Sequence, residues 1–438
     1  MLHAPEVPPH CSMLTAHPER ESLHNEVHAR PYERLMAPLT LSHIAMLAPE
    51  GDGARAHVAA LLRKRHLPLP ADDANHISVD LGGLHLRWEK HTEFHTCTFW
   101  KPLHEGADTF DATALADVPQ EWLSSMPGQW LVGLHMIVRT DKGAEARPRV
   151  QQLVRRTLQE ESLIGAGVMD RDAEVYTDLQ IAADGFERFV VVADSMSPRR
   201  LGRAVQRLLE VETYRMMALL GLPMAREVGA SLRHAERDLA AVAEQIRSAQ
   251  RQQEPELLRQ LTKLAGQVES LYARTHARFS ASSAYFELVQ RRIDELHEQR
   301  IENLQTLGEF MDRRLAPAMQ TCVWAARRQQ ALSERISRTS NLLRTRVEIE
   351  QQQSSQELLD AMNRRQRAQM LLQSAVEGLS VAAVTYYGAG LVGYIAKGAK
   401  AAGVAVSPDV AVAASIPVIA AAVWWGIRRL HRQVQADV

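Results

Sequence analysis

Two uncharged apolar runs close to the end of the chain constrain its fold most strongly. The first run, Gly378 to Ala396, is long enough to cross the ~30 Å hydrocarbon core of a bilayer as a helix. The second run, Val410 to Ile427, contains Trp424 and Trp425 near its end, and Trp favours the membrane interface. We therefore expect a two-helix transmembrane hairpin over residues 378–430. Because Ala and Gly make both runs only moderately hydrophobic, a buried helical hairpin of a soluble protein is the alternative.

Basic residues flank the two runs on their outer sides. The outer set is Arg364, Arg365, Arg367, Arg428, Arg429 and Arg432, and the connecting loop carries only Lys397 and Lys400. Because Lys and Arg are enriched on the cytoplasmic side of membrane helices, we expect the N-terminal part and the C-terminal tail, 431–438, in the cytoplasm. The opening MLHAPEVPPHCSML has Pro and His where a signal peptide needs an apolar stretch, so insertion would depend on the hairpin.

Small residues in the first run predict close helix packing. Ala389 and Gly393 lie one helical turn apart, a spacing that lets two helix backbones approach. Gly388 and Gly390 would leave a groove for another helix. Association inside the membrane is one interpretation, and the other is that Gly and Ala are simply frequent in membrane helices.

Composition excludes several classes of protein. The chain has 438 residues of which 46% are hydrophobic, so it can form two or three domains with real cores. Its net charge of −1 gives no field for nucleic acid, and we expect no nucleic-acid partner. Cys11, Cys97 and Cys322 form no CxxC pair, which suits a reducing compartment.

The N-terminal segment, residues 1–37, is dense in His, Glu and Arg. If residues 19–29 are helical, Glu21, His24 and His28 fall on one face, a pattern that could offer two imidazoles and a carboxylate to a divalent metal. The alternative is a solvated or capped helix whose His side chains bond to the core. We predict no other cofactor.

Residues 38–224 alternate strand and helix patterns and predict a cytoplasmic α+β domain. The expected elements are strand Leu39–Ala48, helix Ala54–His66, strands within His76–Trp100, strand Trp130–Arg139, helix Arg149–Gln159, strands within Leu163–Asp194 and helix Pro198–Leu220. This order suggests two β-α-β-β-α-like pseudo-repeats in one sheet, with His43 and His135 at matching positions of their first strands.

This domain contains no sequence motif for nucleotide binding, serine hydrolysis or zinc proteolysis. Its richest titratable stretch is RWEKHTEFHTCTFW. In one extended strand Glu89, His91, Glu93 and His95 would share a face. We expect instead a turn near His91, which breaks that alignment and makes a hairpin.

From Ala225 the pattern becomes helical, with apolar residues at alternating spacings of four and three. This seam predicts a coiled coil, followed at Pro255 by a second, antiparallel helix that continues to Pro317. We expect a helical hairpin over residues 225–317 and a stalk helix over 318–377 that leads into the first apolar run. The coiled coil and the membrane hairpin together predict a homo-oligomer.

Three segments carry a family resemblance: HNEVHARP (His24–Pro31), WEKHTEFHTCTF (Trp88–Phe99) and the terminal pair of apolar runs. Over nearly its whole length the chain resembles a bacterial family of membrane-anchored proteins, domain-of-unknown-function family 3422. The residues that match are Asn25, Glu26, His28, Arg30, Pro31, Glu93 and His95. The resemblance implies a bacterial inner-membrane protein and brings no established activity.

The layout is also similar to that of the CorA-type divalent-cation channels, which assemble as pentamers. Those channels close their first span with Gly-Met-Asn, whereas the nearest stretch here is Tyr387-Gly388-Ala389-Gly390, in the middle of the run. An Asn amide can orient a hydrated cation and Ala or Gly cannot. The layout thus implies kinship, and the pore residues argue against the same transport.

Three hypotheses follow. The first is a membrane-anchored, oligomeric, non-enzymatic cytoplasmic sensor or scaffold whose soluble partner the sequence does not identify. The second is a divergent CorA-like channel with Tyr386, Tyr387, Gly388 and Gly390 lining a pore. The third is a metal-dependent enzyme, whose candidate ligands are Glu21, His24, His28, His91 and His95.

Overall fold

The computed structural model describes residues 17–20, 23–24, 31–47, 53–71, 74–103, 110–140, 146–193, 196–403 and 405–436. Contacts within the chain divide it into two compact units. The first unit runs up to Gln245 and adds Gln260–Arg338, and the second comprises Ile246–Arg259 and Thr339–Val438.

A mixed β-sheet forms the centre of the first unit. Over the described residues its strands are β1 (Leu39–Leu47), β2 (His76–Asp80), β3 (His85–Lys90), β4 (Phe94–Pro102), β5 (Gln129–Arg139), β6 (Ile164–Val168), β7 (Ala173–Thr177), β8 (Glu187–Ala193) and β9 (Gln299–Arg300). Their spatial order is β2-β3-β4-β1-β5-β8-β7-β6-β9. Neighbouring strands are antiparallel except β5 and β8, which are parallel.

Helices cover both faces of this sheet. They are α1 (Gly53–Lys64), α2 (Gln120–Ser124), α3 (Ala146–Thr157) and α4 (Pro198–Leu219). α1 packs on the face that carries Trp88 and Phe99, and α3 packs on the same face over Ile137 and Val190. α4 lies on the opposite face. The sequence therefore predicted the α+β class and most of its elements, because the strands alternate and the helices carry apolar stripes.

The expected pseudo-repeats have a partial counterpart in the sheet order. The strands β1 and β5 are neighbours at the centre of the sheet. Read outward from this pair, the order is β1, β4, β3, β2 on one side and β5, β8, β7, β6 on the other, which is a mirrored order. However, β4 is antiparallel to β1 while β8 is parallel to β5, so the two halves differ in strand direction. The pseudo-repeat stays a prediction.

Long helices complete the first unit. α5 (Gly221–Ser248) and α6 (Glu254–Leu296) bury the apolar stripes that the sequence showed, including Leu232, Leu239 and Leu261. A third helix, α7 (Leu307–Ala401), packs beside them, since Arg328 pairs with Glu236 of α5 and Gln329 bonds Thr275 of α6 at 3.2 Å. Helix packing is shown, and the coiled coil stays a prediction.

The structure differs from the helix boundary that we expected at Pro317. α6 ends at Leu296, β9 follows, and α7 begins at Leu307 and passes through Pro317. The start of α7 is fixed by a reciprocal cap: Glu309 N–H donates to Thr306 Oγ1, and Thr306 N–H donates to Glu309 Oε2, both at 3.1 Å. The helix therefore begins at this cap, and Pro317 lies inside it without ending it.

The second unit contains the end of α7 and the last helix, α8 (Pro408–Ala436). Among the described residues, α7 and the Pro408–Arg429 part of α8 are long and apolar enough to cross a membrane, with mean hydropathy of 1.4 and 2.0 in their most apolar windows. The two helices touch through glycines: a Cβ on Gly393 would lie 3.0 Å from Val412, and one on Gly388 3.2 Å from Ile419. Two apolar helices that could span a membrane are therefore present, as the sequence indicated.

Candidate functional site

A pocket lies in the first unit between α4 and the sheet face formed by β1, β3 and β4. Its volume is about 50 Å³. Its lining comprises Glu33, Leu35, Leu41, His43, Arg87, Glu89, His91, Phe94, Thr96, Thr98, Trp100, Gly202, Val205, Gln206, Leu209, Glu210, Thr213 and Tyr214. Polar groups from separate strands and from α4 converge here, which is the usual composition of a small-molecule site.

Strand alternation explains why the polar groups face α4. The pairing register sets Arg87 opposite Thr98, and Thr98 opposite His43, so these side chains share one face of the sheet. Their neighbours Trp88 and Cys97 point to the other face and join the core under α1. A shift of one residue in β3 would exchange the charged row with the core row.

Arg87 is the most connected charge of the pocket. It is 5% exposed, and its guanidinium donates to the Pro31 carbonyl and to Glu89 Oε1, each at 2.8 Å, and to Glu33 Oε1 at 3.4 Å. Its Nε is buried without a hydrogen-bond partner. Burial acts to raise the pKa of Glu89, but the hydrogen bond and the charge of Arg87 outweigh it and lower that pKa. Glu89 is therefore ionised at neutral pH.

His43 is held on both ring nitrogens. Thr213 donates its hydroxyl to the Leu209 carbonyl at 2.8 Å, so its oxygen accepts from His43 Nε2 at 3.1 Å. His43 Nδ1 then accepts from the Thr98 hydroxyl at 2.7 Å. Burial lowers the pKa of His43 to about 4. The imidazole is neutral and fully bonded, which fits a positioning role better than acid–base chemistry.

One side of the pocket is closed by a strap, residues Pro31 to Leu35. Leu35 N–H donates to the Pro198 carbonyl at the start of α4, 3.1 Å away. The Glu33 carbonyl lies so close to Gly202 of α4 that a Cβ there would be 1.8 Å from the oxygen. Glycine at this position is what lets the strap reach the helix.

Aromatic rings and a charged network form the rest of the pocket. The Phe94 ring contacts Tyr214 and Tyr285 with centroids 6.5 and 6.2 Å apart. Gln206 donates to Glu210 at 2.9 Å, and Glu210 also pairs with Arg292 of α6. The Gln206 Oε1 atom is buried without a partner.

The structure brings together only part of the residues singled out in the sequence. A turn at His91, whose N–H donates to the Phe94 carbonyl at 2.8 Å, separates β3 from β4. As a result Glu89 and His91 line the pocket, whereas Glu93 pairs with Arg278 at 2.9 Å and His95 bonds the Pro127 carbonyl at 3.0 Å.

The predicted metal ligands stand mostly outside the described part of the chain. Of the three predicted ligands, Glu21 and His28 lie outside the described residues and His24 is described. Of the family-motif residues in the same segment, Asn25, Glu26 and Arg30 also lie outside, and Pro31 is described. Within the described ranges no group of three or more His, Cys, Asp or Glu side chains could hold a metal ion. The metal site stays a prediction.

The pore and packing candidates differ in what surrounds them. Gly388 and Gly393 face α8, whereas Gly390 has open space where a Cβ would stand. Tyr386 and Tyr387 are 76% and 75% exposed and contact each other edge to face. A groove of about 1090 Å³ runs along this side and is lined mainly by apolar residues. The pore role stays a prediction.

A second polar cluster, which sequence reasoning missed, has the residue types of a hydrolase triad. Ser42 Oγ is 2.7 Å from His135 Nδ1, and His135 Nε2 is 3.8 Å from Asp184 Oδ2. Ser42 is 0% exposed in the middle of β1, and Asp184 pairs with Arg188. Burial lowers the pKa of His135 to about 4. A nucleophile without access to substrate cannot act, so this cluster is structural.

Two of the three segments that carried the sequence resemblance contribute described residues to the pocket or to its Arg87. Pro31 ends the first segment and gives its carbonyl to Arg87, while Trp88–Phe99 supplies much of the sheet wall. The family model described as protein of unknown function (DUF3422) matches residues 15–434. The chain belongs to this family. No curated protein and no solved structure matches it. The resemblance of this DUF3422 chain to CorA-type channels stays a prediction.

Proposed function

We propose that this DUF3422 protein is a membrane-anchored, non-enzymatic sensor of the bacterial inner membrane. Its α+β unit binds a small ligand in the pocket under α4, and α7 and α8 hold it in the bilayer with both termini in the cytoplasm. The observation that carries the proposal is the exposed apolar surface of these two helices.

Large apolar side chains exposed on both helices support contact with a membrane. Leu391 is 65% exposed, Tyr394 77% and Val418 68%. Contiguous apolar patches of this kind mark membrane or protein contacts. The reason is that moving apolar surface from water into lipid chains or into a protein interface lowers the free energy. At the end of α8 the Arg428 guanidinium lies 4.6 Å from the Trp424 ring, a pairing suited to the headgroup region.

The pocket supports ligand binding more than catalysis. His43 has both ring nitrogens engaged, and the terminal nitrogens of Arg87 are held by Pro31, Glu33 and Glu89. Groups fixed in this way recognise a bound molecule but are poorly placed to transfer protons. We therefore place sensing ahead of a metal-dependent enzyme.

We also propose that the protein is a homo-oligomer. Leu358, Met362, Leu372 and Val376 on α7 are 64%, 59%, 68% and 63% exposed, although charged residues surround them. Spacings of four residues within this set, from Leu358 to Met362 and from Leu372 to Val376, support a seam against the same helix of another copy. The number of subunits separates this proposal from its alternative, because a pentamer would favour a CorA-like channel.

Membrane retention tests the anchor. Full-length protein is expressed in bacteria, and isolated membranes are washed with alkaline carbonate, which releases peripheral proteins. We expect the wild type and the control Ile181→Arg to stay with the membranes, since Ile181 is an equally exposed residue of the first unit. The double variant Leu391→Arg, Val418→Arg should be released, because charge at the bilayer centre costs several kcal/mol. Release of the wild type would overturn the proposal.

A further inference from the structure

We propose that the pocket under α4 binds a small organic cation, an ammonium group on a short chain that also carries a hydrogen-bond acceptor. The inference rests on the proposed function, because it names the class of ligand that the proposed sensor binds. It does not depend on the hairpin being a membrane anchor.

The first argument is the charge of the lining. Three carboxylates, those of Glu33, Glu89 and Glu210, face one guanidinium, that of Arg87. Arg292 neutralises Glu210 from α6, outside the lining. Two guanidinium charges against three carboxylates leave an excess of one negative charge in a partly buried site that also carries the imidazoles of His43 and His91, and such an excess favours a bound cation.

The second argument is the pair of buried polar atoms that lack partners. Gln206 Oε1 is an acceptor, and an ammonium N–H would satisfy it. Arg87 Nε–H is a donor on a side chain that is 95% buried, given its 5% exposure, and it calls for an acceptor such as a hydroxyl oxygen. A ligand with both groups carries a complementary partner for each of these atoms.

The third argument is the wall. Phe94, Trp100 and Tyr214 line the pocket, and the faces of aromatic rings attract an organic cation more than a hydrated metal ion. Within the described residues no group of three or more His, Cys, Asp or Glu side chains could hold a metal ion, which also argues against a metal in this pocket. An anion would find one guanidinium nitrogen without a hydrogen-bond partner, Nε, and would face the three carboxylates.

The volume sets the size of the ligand. A cavity of about 50 Å³ has room for roughly four water-sized groups. Ethanolamine has an ammonium, two methylenes and a hydroxyl and matches this limit. The best ligands with four non-hydrogen atoms reach dissociation constants of roughly tens of micromolar, and we expect ethanolamine to bind more weakly than this limit, at millimolar concentration.

The test uses the full-length protein in detergent, with calorimetric titration of four probes of similar size. Ethanolamine carries both groups, ethylamine lacks the hydroxyl, ethylene glycol lacks the charge, and glycolate carries the opposite charge. We expect ethanolamine to bind at millimolar concentration, ethylamine at least threefold more weakly, and the other two not at all. Binding of glycolate or ethylene glycol equal to that of ethanolamine would overturn the proposal, as would the failure of ethanolamine to bind at tens of millimolar.

Variants locate the binding in this pocket. Gln206→Leu removes the acceptor and should weaken ethanolamine binding about tenfold, the effect of one lost charge-assisted hydrogen bond. Glu93→Gln is the matched control, because Glu93 lies on the adjacent turn, pairs with Arg278 and is outside the lining. A second variant, Trp100→Leu, keeps the test independent of Gln206, and binding unchanged in both would contradict the assignment.

The outcomes for the ligand and for the anchor are separate. The same preparations are scored for membrane retention after alkaline washing. Retention without ethanolamine binding would remove the ligand class and leave the anchor, whereas binding without retention would remove the anchor and leave the pocket assignment.

Discussion

Arg87 and Glu89, two residues apart on β3, form a 2.8 Å hydrogen-bonded ion pair on the sheet face beneath α4. Most sheets of this kind place apolar side chains under a covering helix. Here the charged pair is what gives the pocket its polarity, and the strap that holds Glu33 is bonded to the same guanidinium. The pair links the architecture of the unit to its capacity for a polar ligand.

Removing Arg87 should destabilise the α+β unit strongly. Arg87→Met leaves Glu89 as a buried carboxylate without its partner, and breaking a buried pair in this way costs about 3–5 kcal/mol. Urea unfolding of the full-length protein in detergent measures the loss. The double variant Arg87→Met, Glu89→Gln should recover part of the stability. A loss below about 1 kcal/mol for the single variant would mean that the pair is solvated.

Gly202→Ala should displace the strap from α4. The new Cβ would meet the Glu33 carbonyl, a backbone atom that cannot rotate away, and overpacking of this kind costs about 1–3 kcal/mol. Gly229→Ala on α5 is the matched control, because its nearest neighbour is the end of Arg233 at 3.8 Å. The control should gain up to about 1 kcal/mol in helix propensity. Equal effects of the two substitutions would show that the strap is not held at Gly202.

The stability of the first unit should depend on pH through Glu187. Burial, and next the charge of Glu212, raise the pKa of Glu187 above its ordinary value of 4.5, although Arg215 opposes them. A carboxyl whose pKa is raised by folding favours the native state below its ordinary pKa and loses that contribution as pH rises towards the raised value. The free energy of unfolding should therefore fall above pH 4.5.

Glu187→Gln should remove this dependence and should unfold at a higher urea concentration than the wild type at pH 8. Glu174→Gln is the control, since Glu174 lies on the neighbouring strand β7 and is outside the Glu187–Glu212–Arg215 cluster. Parallel pH profiles for the wild type and Glu187→Gln would show that Glu187 is ionised in the folded protein.

Two glycines of the first apolar run should differ in their tolerance of side chains. Gly393→Leu would push against Val412 of α8 and should loosen the hairpin, whereas Gly390→Leu has open space. Thermal melting in detergent and resistance to protease compare the two variants. If Gly390→Leu also changes the number of subunits measured by light scattering, Gly390 packs against another copy. Cation flux in liposomes that is abolished by Gly390→Trp would favour the channel alternative.

The sequence was informative where one residue pattern decides an element. The strand expected at Leu39–Ala48 is β1 at Leu39–Leu47, and the expected turn at His91 is present. The helix boundary at Pro317 was misplaced, although the cap that starts α7 was visible as Thr306 followed three residues later by Glu309.

The pocket itself could not be predicted from the sequence. Glu33, Arg87 and Gln206 come from a strap, a strand and a helix, and only the sheet register and the fit of the strap against Gly202 bring them together. Local patterns carry no information on such contacts. The richness of the Trp88–Phe99 segment in titratable residues pointed to the right strands, but not to the face that each side chain would occupy.

The most direct test of the account is the topology of the hairpin in cells. Cys11, Cys97 and Cys322 are first replaced by Ser or Ala, and single cysteines are then introduced at Ala402, in the turn between α7 and α8, and at Ile181, on the first unit. Both positions are exposed. A membrane-impermeant maleimide added to intact spheroplasts should label Ala402→Cys, and should label Ile181→Cys only after lysis. Labelling of Ile181→Cys in intact spheroplasts, or of Ala402→Cys only after lysis, would contradict the proposed membrane anchor.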